Sequence, residues 1–84
     1  MSYSIKIKRS AQKCLAMITQ SDRDKIIKKI QNLSDNPRPE NCKKLAGREA
    51  WRIRIWSYRV IYEISDNQLV VLVVMIGHRR EVYK

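Results

Sequence analysis

Residues 69–76 form an unbroken apolar run, Leu-Val-Val-Leu-Val-Val-Met-Ile, in a chain of only 84 residues. A run this short cannot span a bilayer, which takes about 20 residues, and no alternation marks one of its sides as wet. It is expected to be covered on both faces, as a central strand is. The rest of the chain then has to supply its sheet neighbours and the layer that packs on it.

The periods of the other segments say what those neighbours are. Tyr3, Ile5 and Ile7 alternate with Ser4, Lys6 and Lys8, the pattern of a half-buried strand. From Ser10 the period changes, and Ala11, Cys14, Leu15 and Ile18 make the stripe of a short amphipathic helix with Cys14 on its packed face. Ser21 followed by Asp24 resembles a capping box and predicts that a second helix starts there. Ile26, Ile27, Ile30 and Leu33 would be its buried face, with Lys25, Lys28 and Lys29 outward, and the two helices would form an antiparallel hairpin. Asn36-Pro37-Arg38-Pro39 ends helicity, because proline lacks a donor and restricts the residue before it. A basic loop through Lys43, Lys44 and Gly47 follows.

Beyond Ala50 the pattern is strand throughout. Trp51, Ile53 and Ile55 fall on one side and Arg52 and Arg54 on the other. Ser57 provides a turn, 58–64 the next strand, and Asp66-Asn67 the turn into the apolar run. The expectation is one α+β domain over residues 1–84 in the order β-α-α-β-β-β, a helix hairpin packed on an antiparallel-rich four-stranded sheet.

Eighteen Lys and Arg against eight Asp and Glu give a formal charge of +10. Such an imbalance costs self-repulsion that a polyanionic partner relieves, so nucleic acid, an acidic protein, or both is implied. The amino-terminal part, residues 1–48, holds twelve of the bases and four of the acids. Four of the six later bases are set among strand residues: Arg52, Arg54, Arg59 and Arg79. Cys14 and Cys42 lack CxxC spacing and zinc-site company, and His78 adds a single further ligand type, so two reduced thiols and no metal are expected. With no signal-like apolar segment at the amino terminus, the cytoplasm is the expected compartment and no membrane partner is foreseen.

Conventional hydrolase chemistry finds no support. There is no glycine-rich phosphate loop and no GxSxG elbow, and Glu49, Glu63, Asp66 and Glu81 form no obvious acid–base pair. What remains is the arginine concentration. Planar guanidinium forks suit phosphate oxygens, and on one open sheet face they could clamp an RNA backbone and neutralise charge growing on phosphorus. The same arginines on an ordinary sheet are solvated outward positions, and composition does not separate the two readings.

The stretch from Lys44 to Tyr83, KLAGREAWRIRIWSYRVIYEISDNQLVVLVVMIGHRREVY, resembles the RelE toxins of toxin–antitoxin systems. The K-L-x-G approach, the W-R-I-R and Y-R-V-I-Y strands and the G-H-R-x-x-V-Y ending occur in order, and the earlier strand and helices also fit. The resemblance implies an endoribonuclease that cleaves messenger RNA in the ribosomal A site without metal or cofactor. The substrate's own 2′-hydroxyl attacks the adjacent phosphate and a cyclic phosphate results. It implies catalytic positions at Arg52, Arg54, Arg59, Arg79 and Tyr83, the last stacking on a base or transferring a proton. His78 and Arg80 would contact RNA, and Lys43, Lys44 and Arg48, with the helix lysines, would contact ribosomal RNA, making association salt-sensitive. Partners would be the ribosome, mRNA and a RelB-like antitoxin that folds as it binds. The chain departs from the pattern at Arg52 and Arg54, where RelE proteins often carry lysines. Arginine, with a pKa above about 12, is a poor proton acceptor, which leaves the general base to Tyr83, His78 or the ribosome. Two other classes fit the basic surface: a ParE-like toxin acting on DNA gyrase, and a non-catalytic nucleic-acid-binding module.

Overall fold

A computed structural model describes residues 2–78 of the chain. The elements run β1 (Ser4–Ile7), α1 (Arg9–Ala16), α2 (Gln20–Asn32), β2 (Lys43–Lys44), β3 (Trp51–Ile55), β4 (Tyr58–Ser65) and β5 (Val70–His78). They form an α+β fold with a five-stranded sheet in the order β1-β5-β4-β3-β2, in which only β1 and β5 are parallel. The expected four strands are all present. The extra one, β2, is two residues long and pairs with the start of β3, and a strand that short carries no alternation by which a sequence could announce it.

The apolar run is flanked by β1 on one side and β4 on the other, as a central strand requires. Its cover is less complete than expected. Val71, Val73 and Ile76 are buried, whereas Met75 is 44% exposed. The pairing with β4 steps from Ile61↔Met75 to Tyr62↔Val73, so Val74 is an extra residue in a bulge. A bulge breaks the period of two. It explains why the inward positions are 71, 73 and 76, with Val74 and Met75 both left partly in solvent.

One apolar cluster joins helices to sheet: Ala11, Leu15, Ile26, Ile30 and Leu33 pack with Ile53, Ile55, Val60, Tyr62, Val71, Val73 and Ile76. The predicted face of the second helix is the one that is buried, and Lys25, Lys28 and Lys29 are exposed. Two expectations need correction. Cys14 is exposed and free, because the eight-residue α1 turns Ala11 and Leu15 inward and leaves Cys14 outside its buried stripe. The second helix begins at Gln20, with Thr19 at the cap position making no side-chain hydrogen bond, so Ser21 lies inside the first turn. The acid that serves this end is Asp22, whose Oδ2 accepts from the Tyr58 hydroxyl at 3.2 Å and ties α2 to β4.

Tyr62 is fully buried, and its hydroxyl donates to the Pro37 carbonyl at 2.7 Å. Burial pushes this phenol far above its ordinary range. The bond fixes the proline loop against the core, so Tyr62→Phe should cost about 1–3 kcal/mol by leaving a buried carbonyl unsatisfied, read from the urea midpoint.

A second tie closes the far end. The Arg38 guanidinium holds both Asp66 carboxylate oxygens, at 3.0 and 3.3 Å, and the Tyr3 hydroxyl donates to Oδ1 at 2.7 Å. The chain start, the proline loop and the β4–β5 turn thus meet on one carboxylate. Arg38, and then Tyr3, hold the Asp66 carboxyl below the usual carboxylate range. A carboxyl whose pKa is lower folded than unfolded stabilises the fold above its unfolded pKa of about 3.9. That contribution disappears as pH falls through the folded value. Asp66→Asn should therefore flatten the acid limb of stability against pH, measured by urea unfolding at stepped pH below about 5.

Both tight turns contain a non-glycine residue in the left-handed region, Trp56 and Leu69, each at φ 55°. For bulky side chains this conformation costs on the order of 1–3 kcal/mol.

Candidate functional site

The register of three strands decides which basic residues share a surface. Arg54 on β3 is the direct partner of Arg59 on β4, and Arg59 in turn pairs with Gly77 on β5. One row over, Lys43 pairs with Arg52, Arg52 with Ile61, and Ile61 with Met75. Alternation commits Trp51, Ile53, Ile55, Val60 and Tyr62 to the helix-side core. It sends Lys43, Arg52, Arg54 and Arg59 to the opposite face. Directly opposed residues have Cβ atoms about 4.5–5.5 Å apart, so Arg54 and Arg59 stand as neighbouring like charges.

These arginines differ in access. Arg54 is exposed and Arg52 half-buried, but Arg59 is 2% exposed, the one buried charged side chain among the described residues. Of the three sheet arginines among the described residues, Arg59 alone is closed to solvent. The reason is position: Arg59 lies on a strand paired on both sides, whereas Arg54 lies on β3 beyond the two residues that β2 covers. Arg59 and Arg52 both engage other groups of the chain.

Lys43, expected as a peripheral RNA contact, joins the arginine face by its pairing with Arg52. Lys44 points to the other side of the sheet and forms an ion pair with Glu49 at 3.2 Å. Arg48 is exposed in the loop that Gly47, at φ 75°, turns. The backbone of His78 ends β5 opposite Tyr58, beside the row of Arg59 and Gly77. Arg79, Arg80 and Tyr83 lie outside the described residues. The described residues contain no group of three or more potential metal ligands and no helix long and apolar enough to cross a membrane.

The sequence reading missed one prominent group. Trp56, assigned there to no role, forms the β3–β4 turn with Ser57, is 59% exposed, and carries the Lys25 ammonium 3.8 Å from its ring centroid. The signal available was an aromatic at a two-residue turn, a position where glycine or asparagine is the ordinary choice.

Comparison with known proteins bears directly on this arrangement. The family described as the ParE toxin of the type II toxin–antitoxin system parDE matches residues 5–83. The mRNA interferase toxin RelE of Escherichia coli K12 is 29% identical over 87 residues, covering 99% of this chain and 92% of that protein. A putative RelE-like toxin protein of Escherichia coli is 26% identical over 81 residues, covering 94% of this chain and 85% of the relative. Among solved structures, a free-state mutant of Escherichia coli RelE superposes with a TM-score of 0.81 at 30% identity, covering 99% of this chain and 92% of that one. The archaeal RelE–RelB complex from Pyrococcus horikoshii gives 0.85 at 24% identity, over 96% and 99% of the two chains, a likeness of fold. With a family match across nearly its whole length and a RelE structure at 30% identity, the chain belongs to the RelE/ParE superfamily of type II toxin–antitoxin toxins.

Proposed function

We propose that this protein is the toxin of a toxin–antitoxin pair and acts as an mRNA interferase, an endoribonuclease that cuts message in the ribosomal A site. The observation that carries the reading is the register that gathers Lys43, Arg52, Arg54 and Arg59 on one sheet face. The RelE relatives named as mRNA interferases support it.

In the proposed reaction the 2′-oxygen of the substrate attacks the adjacent phosphorus, the P–O5′ bond breaks, and a 2′,3′-cyclic phosphate and a 5′-hydroxyl are left. Negative charge rises on the non-bridging oxygens as the fifth bond forms. Fixed cations aimed at that charge lower the barrier without reorganising. Arg54, exposed at the open edge, and Arg52 beside it are assigned to the phosphate. Arg59, beside Arg54 on the neighbouring strand, is assigned to the same developing charge. Lys43, Lys44 and Arg48 are assigned to ribosomal RNA, and His78 and Arg80 to the RNA backbone. Proton transfer falls to Tyr83 or His78, or to the ribosome, because guanidinium does not give up its proton near neutral pH. Arg79 completes the proposed catalytic set. No metal enters this chemistry. The partners are the ribosome, mRNA and a RelB-like antitoxin, the last supported by the RelBE toxin–antitoxin complex of this fold, and the place of action is the cytoplasm.

A ribosome-programmed translation extract tests the reading. Purified protein should truncate message, with 5′ ends mapping to the A site, and exchange of Arg79 and Tyr83 together should abolish the cuts in a folded protein. Intact message at every concentration would overturn it. Because the matching family is named for ParE toxins, a gyrase supercoiling assay on the same preparation is the second arm. Inhibition there without cleavage would move the protein to the ParE-like class.

A further inference from the structure

The outer face of α2 and the tip of the β3–β4 hairpin enclose a surface groove of about 370 Å³. Its walls include Lys25, Lys28, Lys29 and Arg54, together with Asn32 and Trp56, and no carboxylate. This falls within the range of about 300–1,000 Å³ usual for clefts that hold small ligands. Four cations around one indole, with no acid to neutralise them, leave the groove short of negative charge.

Trp56 gives the groove its second character. Its backbone is at φ 55°, where a large side chain is strained, and its indole is 59% exposed. A turn that only had to reverse the chain would be better served by glycine. Nor does the indole contribute to the apolar core. Lys25 sits over the ring at 3.8 Å and holds it in place. Strain retained at an exposed aromatic in a basic cleft marks a position where the side chain is wanted for something outside the fold.

Arg54 links the groove to the sheet face. It lines the cleft with Trp56, and in the sheet it is the direct partner of Arg59. We propose that this groove is a single-stranded RNA subsite in which one nucleobase stacks on Trp56, while Lys28, Lys29 and Arg54 hold the flanking phosphates. A strand whose phosphate rests on the arginine face would leave it past Arg54 and enter the groove. The flat indole and the Asn32 amide favour a base over an acidic peptide, because aromatic stacking accepts any base and offers a carboxylate nothing. The proposal extends the RNA-cleavage reading, but binding can be measured without cleavage.

The probe is a 5′-labelled, fully 2′-O-methylated RNA hexamer, which cannot be cut through its 2′-oxygen. Affinity for the full chain is read from the label's anisotropy, and the position of binding from tryptophan fluorescence. The hexamer should bind with strong salt dependence and quench the indole emission. Trp56→Gly should weaken binding at least about tenfold, the loss of one base–aromatic stack, and melt no lower than the parent, since glycine accepts the left-handed turn. Trp56→Phe should keep most of the affinity and lose the quenching, because Trp51 packs against the core and beneath Arg38, outside the groove. Lys28→Glu with Lys29→Glu, on the exposed face of α2, should also weaken binding in a folded protein. The subsite is overturned if Trp56→Gly binds the hexamer like the parent, or if an oligoglutamate peptide quenches Trp56 and RNA does not. If message stays intact in the extract while hexamer quenching persists, the nuclease reading fails and the subsite stands. If message is cut and Trp56→Gly binds and cuts like the parent, the subsite alone fails.

Discussion

Exchanging Arg52 and Arg54 together for glutamine should lower message cleavage by about 10³-fold or more and leave the urea midpoint near that of the parent. The size follows from the proposed role: removing one preorganised charge-stabilising donor typically costs about 10²–10³ in rate, and here two neighbouring positions of one strand are emptied. The stability expectation follows from placement on the face opposite the apolar cluster, and from glutamine keeping hydrogen-bonding capacity toward the groups that half-buried Arg52 engages. The lysine double variant separates charge from geometry. Lysine keeps the positive charge, loses the bidentate fork, and gains an ionisation that the neighbouring positive charges can bring toward neutrality. The resemblance to RelE proteins also puts lysine at these positions. Arg52→Lys with Arg54→Lys should therefore cleave at least as well as the parent, with a pH–rate profile that acquires a new limb. Single-turnover cleavage on programmed ribosomes at stepped pH measures both. A lysine variant as inactive as the glutamine one would show that the planar forks are indispensable.

The difference between what the sequence made readable and what it concealed has a physical origin. Trp51, Arg52, Ile53, Arg54 and Ile55 alternate cleanly because β3 has a dry side and a wet side, so its facing could be read directly, as could the buried face of α2 at Ile26, Ile30 and Leu33. The arginine face was readable to the same degree, since period two fixes the side once the strand is known. Pairing was not. That Arg54 meets Arg59, and Lys43 meets Arg52, depends on turn lengths and on a two-residue strand without pattern. The bulge at Val74 was hidden inside a uniformly apolar run, where a slip of phase changes no residue type. Cys14 and the start of α2 were misread because short helices are set by tertiary packing more than by caps or stripes. The role of Trp56 was invisible because only the folded hairpin brings it to the lysines of α2.

Arg59 separates the demands of folding from those of chemistry more sharply than any other residue. A guanidinium that is 2% exposed has lost nearly all of its water, a cost that a hydrophobic side chain of similar length does not bear. Replacing a buried ionic group together with all its partners by well-packed apolar residues is often neutral or stabilising, whereas removing one member alone costs about 3–5 kcal/mol. Because Arg59 engages other groups of the chain, Arg59→Met strips those groups of their partner and should lower the urea midpoint below that of the parent. Arg59→Ala should lose about 2 kcal/mol more, through the cavity left in the middle of the sheet. Both should lose cleavage by about 10²–10³-fold, because both remove the charge facing Arg54 across the β3–β4 pair. A methionine variant that folds but does not cleave would mean that the buried charge serves the reaction. Full activity in that variant would reduce Arg59 to a packing element and leave the phosphate to Arg52 and Arg54. Instability in that variant, with the alanine variant no worse, would instead make the guanidinium's contacts within the chain the reason for its presence.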